Sequence, residues 1–194
     1  SAYGFGTAIA TKGTLIVRDT DILQEISDHS PVICKITVTT ADDALAAKLE
    51  PGAPSSTARL QALQELRKQG IYAGLLLMPI LPFLEDTPDN IRELVRKAED
   101  AGARFLYAAF GVTMRPGQRE WMYAKLNALF PGKNLSERYQ KTFGSRYMCS
   151  SPRARKLWEI FVEECSRRGI LYRMEEIVRS YKMGYENAQL QFFK

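Results

Sequence analysis

The sequence predicts an α/β fold in which repeated βα units build a parallel sheet. Four short apolar runs bounded by Gly or Pro have the length of buried strands. Segments with helical periodicity and cap signals stand between these runs, and the connecting loops are short. Strands that alternate with helices pair in parallel through crossover connections. Right-handed crossovers leave two arrangements, an open doubly wound sheet or part of a barrel.

The second of the four predicted strands has one polar face. In VICKITVTT, the side chains of Lys35, Thr37 and Thr39 share a face, and the residues between them are apolar. A strand buried on both faces would be apolar throughout. We therefore expect the polar face to line a wet cavity. The strands are predicted over residues 6–11, 32–40, 71–78 and 105–112.

Capping residues mark the predicted helices. Ser55 or Ser56 begins one helix, and Thr87 followed by Pro88 begins another. Further helices are predicted over residues 19–26, 41–50, 118–129, 152–169 and 174–181, whereas residues 130–150 have a composition typical of turns. Because the strand signal stops near residue 115, we expect a βα portion over 1–115 and a mostly helical C-terminal extension over 116–194.

The composition is that of an ordinary globular chain, with 194 residues and a net charge of +5. No apolar run approaches the roughly 20 residues that a membrane-spanning helix needs, so we expect no membrane association. The three cysteines, Cys34, Cys149 and Cys165, are odd in number and far apart. This spacing argues against a disulfide framework or a zinc site and indicates a reducing cytoplasm.

Ligands of parallel α/β folds bind at the carboxyl ends of the strands. Lys12 follows the first strand and would suit a carboxylate or phosphate, although its position alone favours a solvated loop lysine. Thr37 and Thr39 are either ligand contacts or β-branched residues suited to a strand.

Arg59 and the tail carry further positive charge. Arg59 lies one turn into its helix, where it would hold an anion or form an ion pair with Glu50 or Asp42. Cys149 has a basic setting that would lower its pKa, although a buried thiol fits better. The tail would suit a nucleic-acid surface or carry only isolated surface charges. Its basic and aromatic residues are Arg146, Tyr147, Arg153, Arg155, Arg167, Arg168, Tyr172 and Arg173.

The chain resembles the radical S-adenosylmethionine enzymes related to spore photoproduct lyase, also described as DNA repair photolyase-like proteins. The resemblance lies in three ordered stretches, TKGTLIVRDTDIL, ITVTTADDALAAKLEPGAPSSTARLQALQELRKQGI and LLLMPILPFLED. Within them, EPGAPSSTARL is the most specific run. The similarity extends over about residues 7 to 113.

The resemblance implies a partial (β/α)6 barrel of the TIM type, of which this chain carries the last four βα units. Members of the family bind a [4Fe–4S] cluster through a C-x3-C-x2-C motif and S-adenosylmethionine at the open iron, and a 5′-deoxyadenosyl radical abstracts hydrogen from the substrate. No C-x3-C-x2-C occurs here. We therefore expect the cluster loop to lie upstream of Ser1, and the chain alone to hold no cofactor and no metal and to be inactive.

The same resemblance assigns cofactor-binding residues, but no catalytic residue. Lys12 would approach the methionyl carboxylate of S-adenosylmethionine, and Thr37, with Thr39 on the same strand end, would hydrogen-bond the amino-acid end. Arg59 would brace the ribose side of the site or the turn at Glu50 and Pro51. The segment that begins with Met78 and Pro79 would lie beside adenine.

Two other functions remain open at this point. The chain would be a nucleic-acid-binding module that uses its basic tail, or an unrelated α/β-barrel enzyme that handles a phosphorylated small molecule through Lys12 and Arg59. The substrate is unknown, with nucleic acid among the candidates. An open edge beside the first strand invites pairing with another chain, so we expect dimerisation through residues 6–11.

Overall fold

The computed structural model describes residues 5–185 of the chain. Four parallel strands form a sheet in the order β1–β2–β3–β4, so strands adjacent in sequence are also adjacent in the sheet. This finding confirms the predicted α/β class. The strands are β1 (Thr7–Thr11), β2 (Val32–Thr37), β3 (Ala73–Leu77) and β4 (Leu106–Ala108).

Eight helices accompany the sheet in the described range. They are α1 (Thr20–Ser27), α2 (Asp43–Leu49), α3 (Ser56–Lys68), α4 (Pro88–Asp100), α5 (Gln118–Leu129), α6 (Leu135–Phe143), α7 (Ala154–Arg167) and α8 (Met174–Lys182). The Ser55 side chain accepts a hydrogen bond from the backbone N–H of Ala58, and that of Thr87 accepts one from Asn90. Both predicted caps are therefore confirmed, and they satisfy donors that the first helical turn leaves unpaired.

One face of the sheet packs against helices and forms the main hydrophobic core. Cys34, Ile36 and Val38 lie on this face and are fully buried. Helices α3, α4 and α7 supply the other side of the core, which holds residues such as Leu63 and Phe161. The alternation predicted for the second strand is therefore confirmed on its apolar side.

The opposite face of the sheet is covered only at the amino ends of the strands. There, Ile177 of α8 packs with Ile33 and Phe105 in a small separate cluster. Towards the carboxyl ends the cover is incomplete: Ala10 is exposed and Lys35 and Leu76 are partly exposed, whereas Gly74 and Thr37 are buried. We call this uncovered area the open face, and its rows of paired residues are Ala10, Lys35 and Gly74, then Thr37, Leu76 and Tyr107.

The fourth predicted strand, 105–112, is wrong as a single element. Strand β4 ends at Ala108, the chain turns, and Gly111–Thr113 forms a separate strand β5. Strand β5 pairs antiparallel with β6 (Met148–Ser150) instead of extending the main sheet. Strand β6 and helix α6 both lie within residues 130–150, where the sequence predicted neither. These elements are held by distant partners, which local sequence patterns do not reveal.

Two glycines lie where a neighbouring backbone approaches closely. A Cβ atom at Gly74 would lie 2.2 Å from the carbonyl oxygen of Phe105. A Cβ atom at Gly111 would lie 2.7 Å from the carbonyl oxygen of Cys149, at the crossing of β5 and β6. Both distances are far inside van der Waals contact, so any larger residue would displace one of the paired strands.

The chain beyond residue 115 divides between two packing clusters. Helices α5 and α6, with β5 and β6, surround a second core that contains Tyr139 and Cys149. Helix α7 returns to the main core through Leu157 and Phe161. Residues 118–182 thus contain four helices and the short strand β6, and the last of these helices pack on the sheet. Among the described residues, every helix is too short or too polar to span a bilayer.

Candidate functional site

The predicted site residues fall at the carboxyl end of the open face. Thr37 is the last residue of β2, and Lys12 directly follows the last residue of β1. By alternation, Lys12 points to the same side as Ala10, which is paired with Lys35 on the open face. Met78 follows β3 at the same end of the sheet. The structure therefore brings Lys12, Thr37 and Met78 to the same end of the sheet, which we call the mouth.

Arg59 is a buried brace at this mouth. Its side chain is 1% exposed, and its guanidinium donates to the carbonyl oxygens of Pro54 (2.9 Å) and Thr37 (3.0 Å). It also pairs with the Glu50 carboxylate at 2.5 Å, which is one of the two ion pairs weighed from the sequence. Arg59 thus fastens the turn after α2 to the end of β2, and all three of its donor contacts are internal.

Glu50 joins Arg59 to Lys12. The ammonium of Lys12 pairs with the other oxygen of the Glu50 carboxylate, and the Lys12 side chain remains 43% exposed. Burial would raise the pKa of Glu50, but hydrogen bonds from Lys12 and Arg59 outweigh it and hold that pKa below its ordinary value. The three residues form a charged network with its cationic end at the mouth.

The two threonines of the polar strand face have different environments. The Thr39 hydroxyl donates to the carboxylate of Glu85 at 2.6 Å, in a buried contact. The Thr37 hydroxyl makes no hydrogen bond with the described part of the chain, although its residue is 7% exposed. Thr37 therefore has a hydroxyl available to a ligand, whereas Thr39 contributes to the scaffold.

Glu85 is a buried acid that the sequence analysis missed. It is 2% exposed, and besides Thr39 it accepts a hydrogen bond from the backbone N–H of Leu81 at 2.8 Å. Burial raises the pKa of Glu85 to about 7, although these hydrogen bonds act in the opposite direction. Its backbone carbonyl accepts from Asn90, whose side chain also donates to the carbonyl of Thr39. Glu85 thus ties the end of β2 to the loop after β3.

Asp86 connects the same loop to the C-terminal extension. Its carboxylate accepts from the Ser151 hydroxyl at 2.5 Å and from the backbone N–H of Phe83 at 2.6 Å. The position of the two acids could have identified them from the sequence. Glu85 and Asp86 lie in the short loop between the Pro-rich end of the third strand and the Thr87 cap, and not on the exposed side of a helix. Two acids in a tight loop at a strand mouth suit internal hydrogen bonding.

An apolar cavity of about 350 Å³ lies beside the mouth. It is bounded on one side by Met78 and Pro79, the two positions assigned to adenine, and on the other by the β5–β6 ribbon. The other lining residues are Ala109, Phe110, Gly111, Val112, Thr113, Met148 and Ser150. An apolar slot of this kind suits a flat ring system.

The described residues do not fit an iron–sulfur cluster. No group of three or more Cys, His, Asp or Glu side chains in residues 5–185 could hold a metal ion. Cys34 and Cys165 lie in the main core, where burial raises their thiol pKa to about 11 and about 12, and Cys149 is buried in the second cluster. The raised pKa keeps the Cys34 and Cys165 thiols far from the thiolate state that metal ligation requires.

The arginines of the tail have partners within the fold. Arg146 donates to the backbone carbonyls of Phe143 and Thr142, and Arg168 pairs with the buried carboxylate of Glu164. Further pairs are Arg153 with the carbonyl of Asp86, Arg155 with Glu159, Arg167 with Glu164, and Arg173 with Glu176. The pairs with glutamate offset part of the predicted basic charge, whereas Arg146 and Arg153 donate to carbonyl oxygens and form no ion pair within the described residues.

Comparison with known proteins gives relatives in sequence and in fold. The chain is 29% identical over 143 residues to uncharacterized protein Rv2578c of Mycobacterium tuberculosis, an alignment that covers 74% of this chain and 41% of that protein. It is 30% identical over 97 residues to uncharacterized protein ORF301 of Acidianus two-tailed virus, covering 48% and 32% of the two chains. No protein-family model matches.

Among solved structures, the chain is similar to spore photoproduct lyase. A point mutant of that enzyme superposes with a TM-score of 0.58 at 16% identity, covering 85% of this chain and 49% of the other. The lyase complexed with dinucleoside spore photoproduct gives a TM-score of 0.52 at 16% identity, covering 82% and 47%. The fold is therefore that of the lyase over about half its length, and the chain spans about two fifths of its mycobacterial relative.

Proposed function

We propose that this chain is the S-adenosylmethionine-binding portion of a radical S-adenosylmethionine enzyme built on a partial (β/α)6 barrel. The observation that carries the proposal is the set of groups at the carboxyl end of the sheet: the Lys12 ammonium follows β1, the Thr37 hydroxyl ends β2, and an apolar slot lined by Met78 and Pro79 follows β3. The strand order β1–β2–β3–β4 supports the barrel, because a doubly wound sheet would reverse its order at a switch point. The likeness in fold to spore photoproduct lyase supports the family.

The two halves of the mouth match the two ends of the cofactor. Lys12 would pair with the methionyl carboxylate, and the Thr37 hydroxyl would accept from or donate to the same amino-acid end. Met78 and Pro79 would pack against adenine. Lys12 and Met78 extend from strands that are two positions apart, about 10 Å in a sheet, which is the scale of a nucleoside with an extended amino-acid tail.

The remaining predicted residues would hold this arrangement in place. Arg59 binds the carbonyl of Thr37 and the Glu50 carboxylate, so it would fix both cofactor-facing residues without touching the cofactor. Thr39 would act through Glu85 in the same way. When bound at a reduced cluster, S-adenosylmethionine supplies a 5′-deoxyadenosyl radical. We place the cluster ligands outside the described residues, whose thiols do not fit one.

Weak binding of S-adenosylmethionine, seen only at high cofactor concentration, tests the proposal directly, because the chain without the cluster is expected to retain no bound cofactor. Backbone amide NMR spectra are recorded while the cofactor is added, and saturable shifts are expected at Lys12, Thr37 and Met78. Lys12→Met should weaken binding about tenfold, because a hydrogen bond to a charged group contributes about 1.5–3 kcal/mol. Thr37→Val, which keeps the shape and removes the hydroxyl, should weaken it less.

Two matched variants control for non-specific effects. Lys68→Met removes an exposed lysine of α3, and Thr142→Val removes a hydroxyl of α6, each remote from the mouth. Both should bind as the wild type does. Shifts that never saturate, or that are the same in Lys12→Met and the wild type, would contradict the assignment.

The activity of the whole protein needs its own experiment. The natural polypeptide, including any sequence that precedes Ser1, is reconstituted anaerobically with iron and sulfide and supplied with a reductant. We expect cluster absorption and release of 5′-deoxyadenosine. A protein that forms no cluster and releases no 5′-deoxyadenosine would remove the enzymatic proposal.

A nucleic-acid partner is a second proposal, favoured by one feature beside the cavity. Tyr147 and Met148 are 53% and 55% exposed, and Met148 also lines the apolar slot. The solved lyase is complexed with dinucleoside spore photoproduct. A base stacked on Tyr147 would lie next to Met148, which lines the slot. Binding of single-stranded DNA should weaken steeply as salt is raised. Binding that is absent at low salt would end this proposal.

A further inference from the structure

The loop between β3 and α4 joins the mouth to the C-terminal extension. We call residues 79–87 the mouth loop. It begins at Pro79, which lines the apolar slot, and the backbone N–H of Leu81 donates to the carboxylate of Glu85 at 2.8 Å. The same carboxylate accepts from the Thr39 hydroxyl at 2.6 Å, just past the end of β2. The conformation of this loop therefore affects both the slot and the end of β2.

One residue of the mouth loop has a strained backbone. Phe83 has a φ of +67°, and within residues 5–185 only one other non-glycine residue, Asn134, has a positive φ. The left-handed region brings Cβ too close to the following carbonyl oxygen, so a residue with a large side chain is strained there. Strain of this kind persists where the surrounding contacts fix the conformation, and it concentrates at functional sites.

Helix α6 of the extension supplies the contacts that fix Phe83. The Phe83 ring lies edge-on to the ring of Tyr139, with centroids 5.3 Å apart, and its centroid is 5.9 Å from that of Phe143. The guanidinium of Arg138 lies 4.3 Å from the centroid of the Phe83 ring. Three side chains of one helix therefore hold this ring.

The Tyr139 hydroxyl acts on the backbone of the loop. It donates to the carbonyl oxygen of Pro82 at 2.9 Å, in a buried contact. This carbonyl belongs to the peptide unit that leads into Phe83, so the bond sets the orientation of the strained segment. Tyr139 is fully buried, and burial together with the nearby carboxyls of Asp86 and Glu85 raises the pKa of Tyr139, so its hydroxyl stays a proton donor.

The extension contacts the far end of the mouth loop as well. Ser151 directly follows β6, and its hydroxyl donates to the Asp86 carboxylate at 2.5 Å. Strands β5 and β6 form the wall of the slot that faces Met78 and Pro79. The extension thus supplies one wall of the slot and two anchors for the loop that continues from the other wall.

We propose that Tyr139 is a positioning residue for the nucleoside end of S-adenosylmethionine. By holding the peptide between Pro82 and Phe83, it keeps Met78 and Pro79 at the distance from the β5–β6 ribbon that a flat ring system fits. Tyr139 acts through the mouth loop and not by contact with the cofactor. The inference rests on the proposed function, and it adds that the C-terminal extension controls the affinity for the cofactor.

Separate titrations with the two halves of the cofactor test the inference. Tyr139→Phe keeps the ring that packs on Phe83 and removes only the hydroxyl. Adenosine and methionine are added separately at high concentration, and amide NMR shifts are followed. In Tyr139→Phe, we expect the dissociation constant of adenosine to rise about fivefold, because one hydrogen bond is lost, and that of methionine to stay unchanged.

Tyr123→Phe is the matched control. Tyr123 lies in the same second cluster as Tyr139, and its hydroxyl accepts from Arg119 at 3.3 Å instead of bonding to the mouth loop. This variant should bind adenosine and methionine as the wild type does.

Hydrogen exchange of the Leu81 amide reports on the loop without any ligand. Because this N–H is bonded to Glu85 within the loop, its exchange should be about tenfold faster in Tyr139→Phe and unchanged in Tyr123→Phe. Ser151→Ala removes the other anchor and should give the same two results. It provides the test if Tyr139→Phe does not fold.

The failure of this inference differs from the failure of the proposed function. If Tyr139→Phe binds adenosine as tightly as the wild type, if adenosine and methionine weaken by the same factor, or if the exchange of Leu81 is unchanged, the inference is refuted and the proposed function stands. If the wild type binds neither S-adenosylmethionine nor adenosine, the proposed function fails and the inference falls with it.

Discussion

Replacement of Glu85 by glutamine should change how stability depends on pH. The Glu85 carboxyl is 2% exposed, and burial raises its pKa from the ordinary 4.5 to about 7. Between these two values, the folded protein holds a proton that the unfolded chain has released. Raising the pH therefore favours unfolding, and stability that is present below pH 4.5 is lost as the pH rises through about 7.

The size of the effect follows from the shift in pKa. A shift of about 2.5 units corresponds to about 3 kcal/mol at roughly 1.36 kcal/mol per unit. Glu85→Gln keeps the size of the side chain and has no proton to lose. Relative to the wild type, the variant should therefore gain about 3 kcal/mol of stability between pH 4.5 and about pH 8.

Urea unfolding at a series of pH values measures this difference. Asp89→Asn, which replaces an acid that is 98% exposed on α4, serves as the control and should run parallel to the wild type. The reasoning is refuted if the difference between Glu85→Gln and the wild type stays constant across the pH range, because the buried acid would then be ionised throughout.

Three further predictions concern the scaffold of the site. Glu50→Gln should destabilise the protein by about 2–3 kcal/mol, because it leaves the 1% exposed Arg59 guanidinium without its counter-ion, whereas Glu65→Gln in an exposed pair should cost under about 0.5 kcal/mol in urea unfolding. In the wild type, the stabilising effect of the Glu50 carboxylate should fade as the pH falls below 4.5, because the pKa of Glu50 is depressed in the folded protein. A free energy of unfolding that differs from that of Glu50→Gln by the same amount at every acidic pH would contradict this. Gly74→Ala should cost about 2 kcal/mol or more, because its Cβ would lie 2.2 Å from a carbonyl oxygen, and an unchanged urea midpoint would show that the strands can separate freely. The chain should dimerise through β1 as its concentration rises, as measured by sedimentation velocity. Ala8→Pro should stay monomeric, because the Thr7 N–H bonds to the neighbouring strand, so the next N–H, that of Ala8, points outward and is the donor that proline removes. A wild type that is monomeric at every concentration would contradict this prediction.

The sequence predicted the fold where the signal was local. The alternation of VICKITVTT separated a core face from an open face, and Ser55 and Thr87 marked helix starts that the structure confirms. The prediction was wrong for residues 105–112, where the chain leaves the sheet after Ala108 to pair with a strand almost forty residues later. Apolar character continues through this turn, so no local pattern marks it.

Single side chains at the site also depend on residues that are distant in sequence, which a local pattern does not reveal. Thr37 and Thr39 are two residues apart on one face of one strand, and the sequence gives both the same environment. The structure separates them, because Glu85 approaches Thr39 from 46 positions away and accepts its hydroxyl hydrogen.

The mouth therefore divides into a bonded part and an available part. Arg59, Thr39 and Glu85 have their hydrogen bonds satisfied inside the protein, so they hold the strand ends together. The Thr37 and Lys35 side chains make no hydrogen bond with residues 5–185, and the polar atoms of both reach solvent. Both groups can therefore exchange bound water for a ligand. A ligand that supplies those missing contacts is the simplest reason for a strand with one face of this kind.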